Sequence, residues 1–153
     1  MIPPNIIIYR IGNFFYRNNI YIIPKFLTLL NRFLFSVWIP SSIKIGKNFK
    51  MGYWGLGTVL HSHIVIGQNC HINQNVTVGR NFGDKKVPII GDNVYIGAGS
   101  VIFGEITIGD NVIIGSNSVI NKSIPENHIV AGNPFRILNS NSKNKYWEID
   151  GNI

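Results

Sequence analysis

The strongest constraint on the fold is an isoleucine that recurs at every sixth position between Pro88 and Lys122. The residues that keep this period are Ile90, Ile96, Ile102, Ile108, Ile114 and Ile120. Side chains return to one face every 3.6 residues in a helix and every second residue in a strand, so neither element alone explains the period. A short flat strand followed by a tight corner does explain it. Three such units form one triangular turn of a parallel β-helix, whose turns stack about 4.8 Å apart.

The neighbours of each isoleucine fit the same unit. The residues two positions earlier are mostly small or β-branched and should pack beside it, namely Pro88, Val94, Ser100, Ile106, Val112 and Ser118. The residues directly after it are mostly glycine, namely Gly91, Gly97, Phe103, Gly109, Gly115 and Asn121. We expect Gly or Asn there to take the positive φ of the corner. Burying each isoleucine contributes roughly 1.5–3 kcal/mol, so the column can hold the solenoid together.

The period begins near Ser42 and has two interruptions. Three extra residues fall within Gly52 to Gly57, which predicts a glycine-rich bulged corner that exposes Tyr53 and Trp54. Asp84 then stands where a core aliphatic residue is expected, so residues 80–87 should form a loop that leaves the corner at Gly79. The predicted layers of the coil are Ile66, Ile72 and Val78, then Ile90, Ile96 and Ile102, then Ile108, Ile114 and Ile120.

Three segments are predicted along the chain. Residues 1–40 are apolar, basic and rich in aromatics, and they predict two helices, at roughly 5–18 and 24–37, divided at Pro24. These helices should cap the solenoid, which spans residues 41–138, or alternatively lie on the inner membrane face. Charged and helix-breaking residues interrupt every window long enough for a membrane span. Residues 139–153 form a polar tail that should be mobile or loosely docked.

The charge is unevenly distributed. The net charge is +7, and the first fifty residues contain seven Lys or Arg and no acidic residue. Such an excess suits a membrane surface, an anionic substrate or nucleic acid, but no aromatic-basic motif of a nucleic-acid module is present. No nucleic-acid partner is therefore expected. The single cysteine, Cys70, falls on a core position and is typical of a cytoplasmic protein.

Over about residues 40–138 the chain resembles the hexapeptide-repeat acyltransferases, particularly the branch with serine acetyltransferase and bacterial polysaccharide O-acetyltransferases. The resemblance is carried by Gln74 to Gly79, Pro88 to Ser100, Ile114 to Lys122 and Val130 to Arg136. It implies a left-handed coil, a homotrimer, and acetyl-CoA as co-substrate in a groove between adjacent subunits, with no metal. The residues it assigns to acetyl-CoA are Gly79, Gly97, Ala98, Ser116, Asn121, Lys122 and Arg136.

Acetyl transfer to a hydroxyl needs a general base, and histidine is the usual choice. His61 follows the core residue Leu60, and Gly79 lies eighteen residues further on, so His61 should lie within about 5 Å of that backbone, beneath the loop. We predict His61 as the base, with His63 in reserve and Asp84 as a candidate orienting group. Of the other two histidines, His71 should be an exposed strand residue and His128 structural.

The chain departs from serine acetyltransferase at two positions. That family has Asp-His at the corner where this chain has Gly52, Tyr53 and Trp54, and a second His before a proline where this chain has Val87 and Pro88. The aromatic rings of Tyr53 and Trp54 would suit a sugar, so they are the predicted acceptor pocket. The sequence therefore predicts a cytoplasmic O-acetyltransferase that acts on a sugar hydroxyl in capsule, O-antigen or exopolysaccharide biosynthesis. The alternatives are serine O-acetyltransferase, a non-catalytic trimer, and a zinc-binding trimer with His61, His63 and His71 as ligands.

Overall fold

The computed structural model describes residues 2–140 and 145–150. Two helices, α1 (Pro4–Arg17) and α2 (Ile22–Phe35), precede a left-handed parallel β-helix of about four turns, and a short helix, α3 (Tyr146–Asp150), follows it. The strands are β1 Lys44–Ile45, β2 Lys50–Met51, β3 Val59–Leu60, β4 Val65–Ile66, β5 His71–Ile72, β6 Thr77–Gly79, β7 Ile89–Ile90, β8 Tyr95–Ile96, β9 Val101–Phe103, β10 Thr107–Ile108, β11 Ile113–Ile114, β12 Val119–Ile120, β13 Ile129–Gly132 and β14 Phe135–Asn139. The predicted fold class is confirmed.

The strands form the three faces of a prism. The first face has the order β1-β4-β7-β10, the second has β2-β5-β8-β11-β13-β14, and the third has β3-β6-β9-β12. The chain visits them in that order, so each turn has a first–second, a second–third and a third–first corner. The register pairs Ile66 with Ile90, Ile72 with Ile96, and Val78 with Ile102. The predicted layers are therefore correct.

The isoleucine column is the core of the prism. All six isoleucines are at most 1% exposed, and the residues two positions before them are buried as well. Cys70 also lies in this core, and burial raises the pKa of its thiol to about 11. Such a thiol is protonated at neutral pH and acts as a small apolar side chain.

The prediction for the corner residues is wrong in one respect. The positive φ falls three residues after the core aliphatic residue, for example at Asn93 (59°) and Asn111 (57°), and not directly after it. The glycine directly after the core residue has a different cause, which is close contact with the next turn. A Cβ on Gly109, for example, would lie 2.5 Å from the backbone N of Glu126. Glycine is needed there for space and asparagine for the left-handed backbone.

The first–second corner carries a ladder of asparagine amides. In four bonds of 2.9–3.1 Å, an asparagine Nδ2 donates to the Oδ1 of the asparagine one turn further on, and these bonds link Asn48, Asn69, Asn93, Asn111 and Asn127 in that order. Every member has a positive φ. The ladder therefore ties successive turns together along one edge of the prism.

The helices close the open end of the first turn. In α1, Tyr9 Oη donates to the carbonyl of Ile43 at 2.7 Å, and the guanidinium of Arg10 donates to the carbonyl of Ile45 at 2.7 Å. The expected break at Pro24 is wrong: the helices separate at residues 18–21, where Asn19 has a φ of 60°. Pro24 lies in the first turn of α2, where its missing N–H removes no helical hydrogen bond.

No helix in the part of the chain that the structure describes combines the length and the apolar character needed to cross a membrane.

The C-terminal segment is docked where it is described. Tyr146 in α3 is buried, donates to the carbonyl of Asn69 at 3.1 Å, and packs its ring against His71 and Tyr95 of the second face. The rest of the predicted tail, residues 141–144 and 151–153, lies outside the described residues.

Candidate active site

The third–first corner holds the predicted base. Leu60 at the end of β3 is fully buried, so the chain turns immediately after it at His61. The backbone N–H of His61 donates to the carbonyl of Val78 at 3.0 Å, which stacks this corner directly against the one at Gly79. The structure thus places His61 beside the residue from which the loop of residues 80–87 departs.

The environment of His61 favours its neutral form. Partial burial is the main cause that lowers the pKa of its imidazole, and the nearby charges of His63 and Arg80 lower this pKa further. The rings of His61 and His63 have centroids 5.4 Å apart, and the backbone N–H of His63 makes a long contact of 3.4 Å with Nδ1 of His61. A neutral imidazole at neutral pH is available to accept a proton.

Two cavities lie on either side of this corner. A cleft of about 520 Å³ opens towards the helices and is lined by Tyr16, Tyr21 and Lys25 on that side and by Ser62 and His63 on the other. We call it the helix-side cleft.

A second cavity of about 340 Å³ follows the outside of the third face. It is lined by Trp38, Val59, His61, Thr77 and Gly79, among others, and we call it the third-face groove. The segment His61 to His63 therefore separates two spaces, each large enough for part of a substrate.

The loop of residues 80–87 stands out from the corner above His61. Phe82 at its tip is fully exposed, and Lys86 forms an exposed ion pair with Glu105 at 2.7 Å. The carboxylate of Asp84 lies near Gly104, and within residues 2–140 and 145–150 it makes no hydrogen bond to His61. The orienting role predicted for Asp84 has no direct contact to support it in this state.

The residues assigned to acetyl-CoA fall on two different corners. Gly97, Ala98 and Ser116 stack on successive turns of the second–third corner, where the N–H of Asn117 donates to the carbonyl of Ala98 at 2.8 Å. A Cβ on Gly97 would fall against the backbone N of Ser116, so only glycine fits here and no side chain covers the backbone at this position.

The other members lie elsewhere. Gly79, Asn121 and Lys122 belong to the third–first corner, and Arg136 is exposed on β14. The whole third face separates the two corners, so a single chain does not bring these residues into one groove. Lys122 is exposed and available to an anion.

The predicted acceptor aromatics occupy the second–third corner as well. Tyr53 and Trp54 have φ values of 47° and 54°, which are rare for bulky residues, and Tyr53 is 80% exposed. They line a shallow depression with Leu34, Phe35 and Leu56 and do not line either cavity beside His61. Within one chain, these rings and the candidate base belong to separate surfaces.

The two remaining histidines have structural surroundings. His71 is partly buried on the second face with its ring against Tyr95, and Nδ1 of His128 lies 2.6 Å from the carbonyl of Glu126. His71 is thus on a different face from His61 and His63. Among the described residues no group of three His, Cys, Asp or Glu could hold a metal ion, so the zinc alternative has no ligand set there.

Sequence reasoning missed the contribution of the helices to the site. Tyr16, Tyr21 and Lys25 reach the helix-side cleft only because α1 and α2 pack across the first turn, and no local pattern encodes that packing. The effect of Arg80 on the pKa of His61 could have been anticipated, because Arg80 directly follows Gly79 at the same corner.

Comparison with known proteins identifies the family. A family model for the bacterial transferase hexapeptide (six repeats) matches residues 88–122, the segment that carries the isoleucine column. Residues 88–122 therefore carry the hexapeptide repeat of this family. The predicted family resemblance is therefore confirmed.

The similar proteins are serine acetyltransferases. The chain is 32% identical over 137 residues to the serine acetyltransferase of Bacillus pumilus, a match that covers 88% of this chain and 63% of the relative. It is 45% identical over 107 residues to serine acetyltransferase 1, chloroplastic, of Arabidopsis thaliana, covering 68% of this chain and 33% of the relative. The crystal structure of serine acetyltransferase in complex with coenzyme A from Brucella abortus is similar, with a TM-score of 0.84, 28% identity and coverage of 89% and 55%. The chain thus spans between 33% and 63% of the length of these proteins.

These comparisons correct the predicted acceptor. The sequence predicted a sugar of a surface polysaccharide, but the relatives and the solved neighbours are serine acetyltransferases, which agrees with the stated alternative. The error came from two features that do not discriminate between acceptors. Exposed aromatic rings such as Tyr53 and Trp54 are not specific to a sugar, and the absence of an Asp-His pair from the corner Gly52 to Trp54 does not specify a sugar either.

Proposed function

We propose that the protein is an acetyl-CoA-dependent serine O-acetyltransferase with His61 as the general base. The observation that carries this proposal is the position of His61 between the helix-side cleft and the third-face groove, with a lowered pKa. The family and the serine acetyltransferase relatives support the donor and the acceptor. The corner Gly52 to Trp54 has no histidine where the resemblance implies Asp-His, so the base comes from another position, and His61 is the histidine that borders a cavity on the loop side of the coil.

The reaction requires one proton acceptor that later becomes a donor. Neutral His61 takes the proton from the seryl hydroxyl while the hydroxyl oxygen attacks the carbonyl carbon of the acetyl thioester, forming the new C–O bond. When the tetrahedral intermediate collapses, the C–S bond breaks, and the proton held by His61 passes to the departing thiolate of coenzyme A. The products are O-acetylserine and free coenzyme A, and His61 returns to its neutral form.

The division of the acetyl-CoA residues between two corners supports a homotrimer. In this arrangement the second–third corner of one copy, with Ala98 and Ser116, faces the third–first corner of its neighbour, with His61 and Lys122. Small side chains allow the pantetheine arm to approach the backbone, while Lys122 and Arg136 offer cations to the phosphates. The site is then complete only between two copies. We place this activity in the cytoplasm, as the composition predicts.

The test is a thiol-release assay with acetyl-CoA and L-serine. His61→Ala should lower kcat by about 10²–10⁴-fold, the usual contribution of a general base, while coenzyme A still binds in a calorimeter. His128→Ala, which removes a histidine with a structural contact, serves as the matched control and should retain activity. His63→Ala tests the reserve base.

Two results would contradict the proposal. Full activity of His61→Ala would remove His61 from the mechanism, and activity lost only in His63→Ala would transfer the role to His63. A wild-type protein that binds coenzyme A but releases no thiol with L-serine would reject serine as the acceptor.

A further inference from the structure

The outer face of α2 is apolar. Ile22, Phe26, Leu29 and Phe33 lie on one side of the helix because their spacings are four, three and four residues. All four are exposed, and Ile22 and Phe33 reach 83% and 86% exposure. We call this set the outer stripe of α2. Four large apolar side chains in a row are more than scattered surface hydrophobics and indicate an interaction surface.

The inner face of α2 carries the polar residues. Thr28 and Asn31 are buried opposite the outer stripe, where Thr28 Oγ1 donates to the carbonyl of Pro24 at 2.8 Å and Asn31 Nδ2 donates to the carbonyl of Asn5 at 2.9 Å. A surface helix in water normally has the opposite arrangement, with apolar residues inside and polar residues outside. The helix is therefore built for an outer environment that is itself apolar.

The first helix repeats this pattern. Ile7, Ile11 and Phe14 are exposed along one side of α1, while Asn5 and Tyr9 are buried on the other. The buried side is the one that binds the first turn of the coil, so the exposed residues of α1 also face away from it. The helical layer thus has two apolar stripes on its outer surface.

The charge around this layer selects the kind of partner. Residues 1–83 contain eight Lys or Arg and no Asp or Glu, whereas residues 84–153 contain six and seven, so the whole excess of +7 comes from the part that carries the helices. Lys25 and Arg32 directly precede Phe26 and Phe33 and are exposed. A second copy docked through the same face would bring two cationic patches together, because a two-fold interface uses the same surface patch on both copies. Anionic phospholipid headgroups instead complement them.

We propose that the outer face of α1 and α2 binds the surface of a bilayer that contains anionic lipids. The apolar stripes enter the boundary between headgroups and acyl chains, and Lys25 and Arg32 contact the lipid phosphates. This inference goes beyond the proposed acetyl transfer and does not depend on it. The proposed trimer would increase the affinity for the membrane, because three helical layers at the same end of the three-fold axis would bind one surface together.

The experiment is flotation of the full chain with vesicles of phosphatidylcholine alone or with roughly one third phosphatidylglycerol. The protein should float with the anionic vesicles and bind at least about tenfold less to the neutral ones, and raising the salt to about 0.5 M should release much of it. Phe33→Ser should reduce flotation by about tenfold or more, because a large apolar contact with the membrane is lost. Phe82→Ser is the matched control, since Phe82 is 101% exposed but lies on the loop of residues 80–87. Lys25→Glu with Arg32→Glu should abolish the preference for anionic lipid.

Three results would overturn the proposal. These are no flotation with either vesicle, equal flotation of Phe33→Ser and Phe82→Ser, or a wild-type assembly larger than a trimer that Phe33→Ser reduces to a trimer. The last result would assign the stripe to a second copy. Serine acetylation is measured in the same preparations without vesicles, so failure of membrane binding is distinguished from failure of the proposed activity.

Discussion

The asparagine ladder allows a quantitative test of how this coil is held together. Asn111 is an interior member of the ladder that accepts from Asn93 and donates to Asn127 at 2.9 Å each, and it has a φ of 57°. Asn111→Ala removes two hydrogen bonds worth about 0.5–1.5 kcal/mol each and places alanine in a left-handed conformation that costs about 1–2 kcal/mol. The free energy of unfolding should therefore fall by about 3 kcal/mol.

Two variants separate these contributions. Asn111→Gly keeps the left-handed backbone without strain. Its free energy of unfolding should therefore fall by less, about 2 kcal/mol, mainly because the two hydrogen bonds are lost. Asn48→Ala is the control at the end of the ladder: it places alanine in the same left-handed conformation, with a φ of 55°, but loses only one exposed amide bond of 3.0 Å and should therefore be less destabilising. Urea unfolding followed by circular dichroism at one fixed protomer concentration gives the comparison. If Asn111→Ala unfolds at the same urea concentration as Asn48→Ala, the ladder does not contribute as argued.

Two further predictions concern the base and the spacing of the turns. Because the proposed base His61 must be neutral to accept a proton and its pKa is lowered, kcat/KM should stay high until the pH falls below the usual range of histidine. Removing the cation in Arg80→Ala should raise the pKa of His61 and move this acid limb to higher pH. An unchanged pH profile would show that Arg80 has no such effect. Gly109→Ala should destabilise the fold by about 1–3 kcal/mol, because its Cβ would lie 2.5 Å from the backbone N of Glu126. Gly79→Ala, with nothing within 4 Å of the new Cβ, should be neutral or slightly stabilising in urea, and equal losses in both variants would refute the steric argument.

The sequence predicted the coil well because its signal is strictly local. A fixed period of six places Ile90 on Ile108 and Ile96 on Ile114 without knowledge of any other part of the chain. The same period could not reveal which corner position has the positive φ, since both Gly and Asn can adopt it. The answer depends on the distance between turns, which leaves no room for a Cβ at residues such as Gly109.

The candidate site was predicted less completely because it depends on contacts between distant segments. The position of His61 beside Gly79 follows from the repeat alone, and the structure places the two in neighbouring turns. The helix-side cleft depends on the packing of α1 and α2, which bring Tyr16 and Lys25 to the corner. The acceptor was predicted incorrectly because the exposed aromatic residues at the bulged corner, Tyr53 among them, were interpreted as a sugar-binding pocket, although exposed rings do not specify an acceptor.

The bulged corner at Tyr53 and Trp54 has a strained backbone. Tyr53 and Trp54 keep left-handed backbone conformations, each of which costs of order 1–3 kcal/mol for such residues, and Tyr53 gains little packing in return because it is 80% exposed. Strain of this kind persists where the surrounding chain holds it in place, and here the carbonyl of Trp54 is fixed by Asn5 Nδ2 at 2.8 Å. In the proposed trimer the second–third corner of one copy would meet the third–first corner of the next. The strained rings would then stand opposite the neighbour's histidine corner, and formation of the trimer would unite two half-sites that one chain keeps apart.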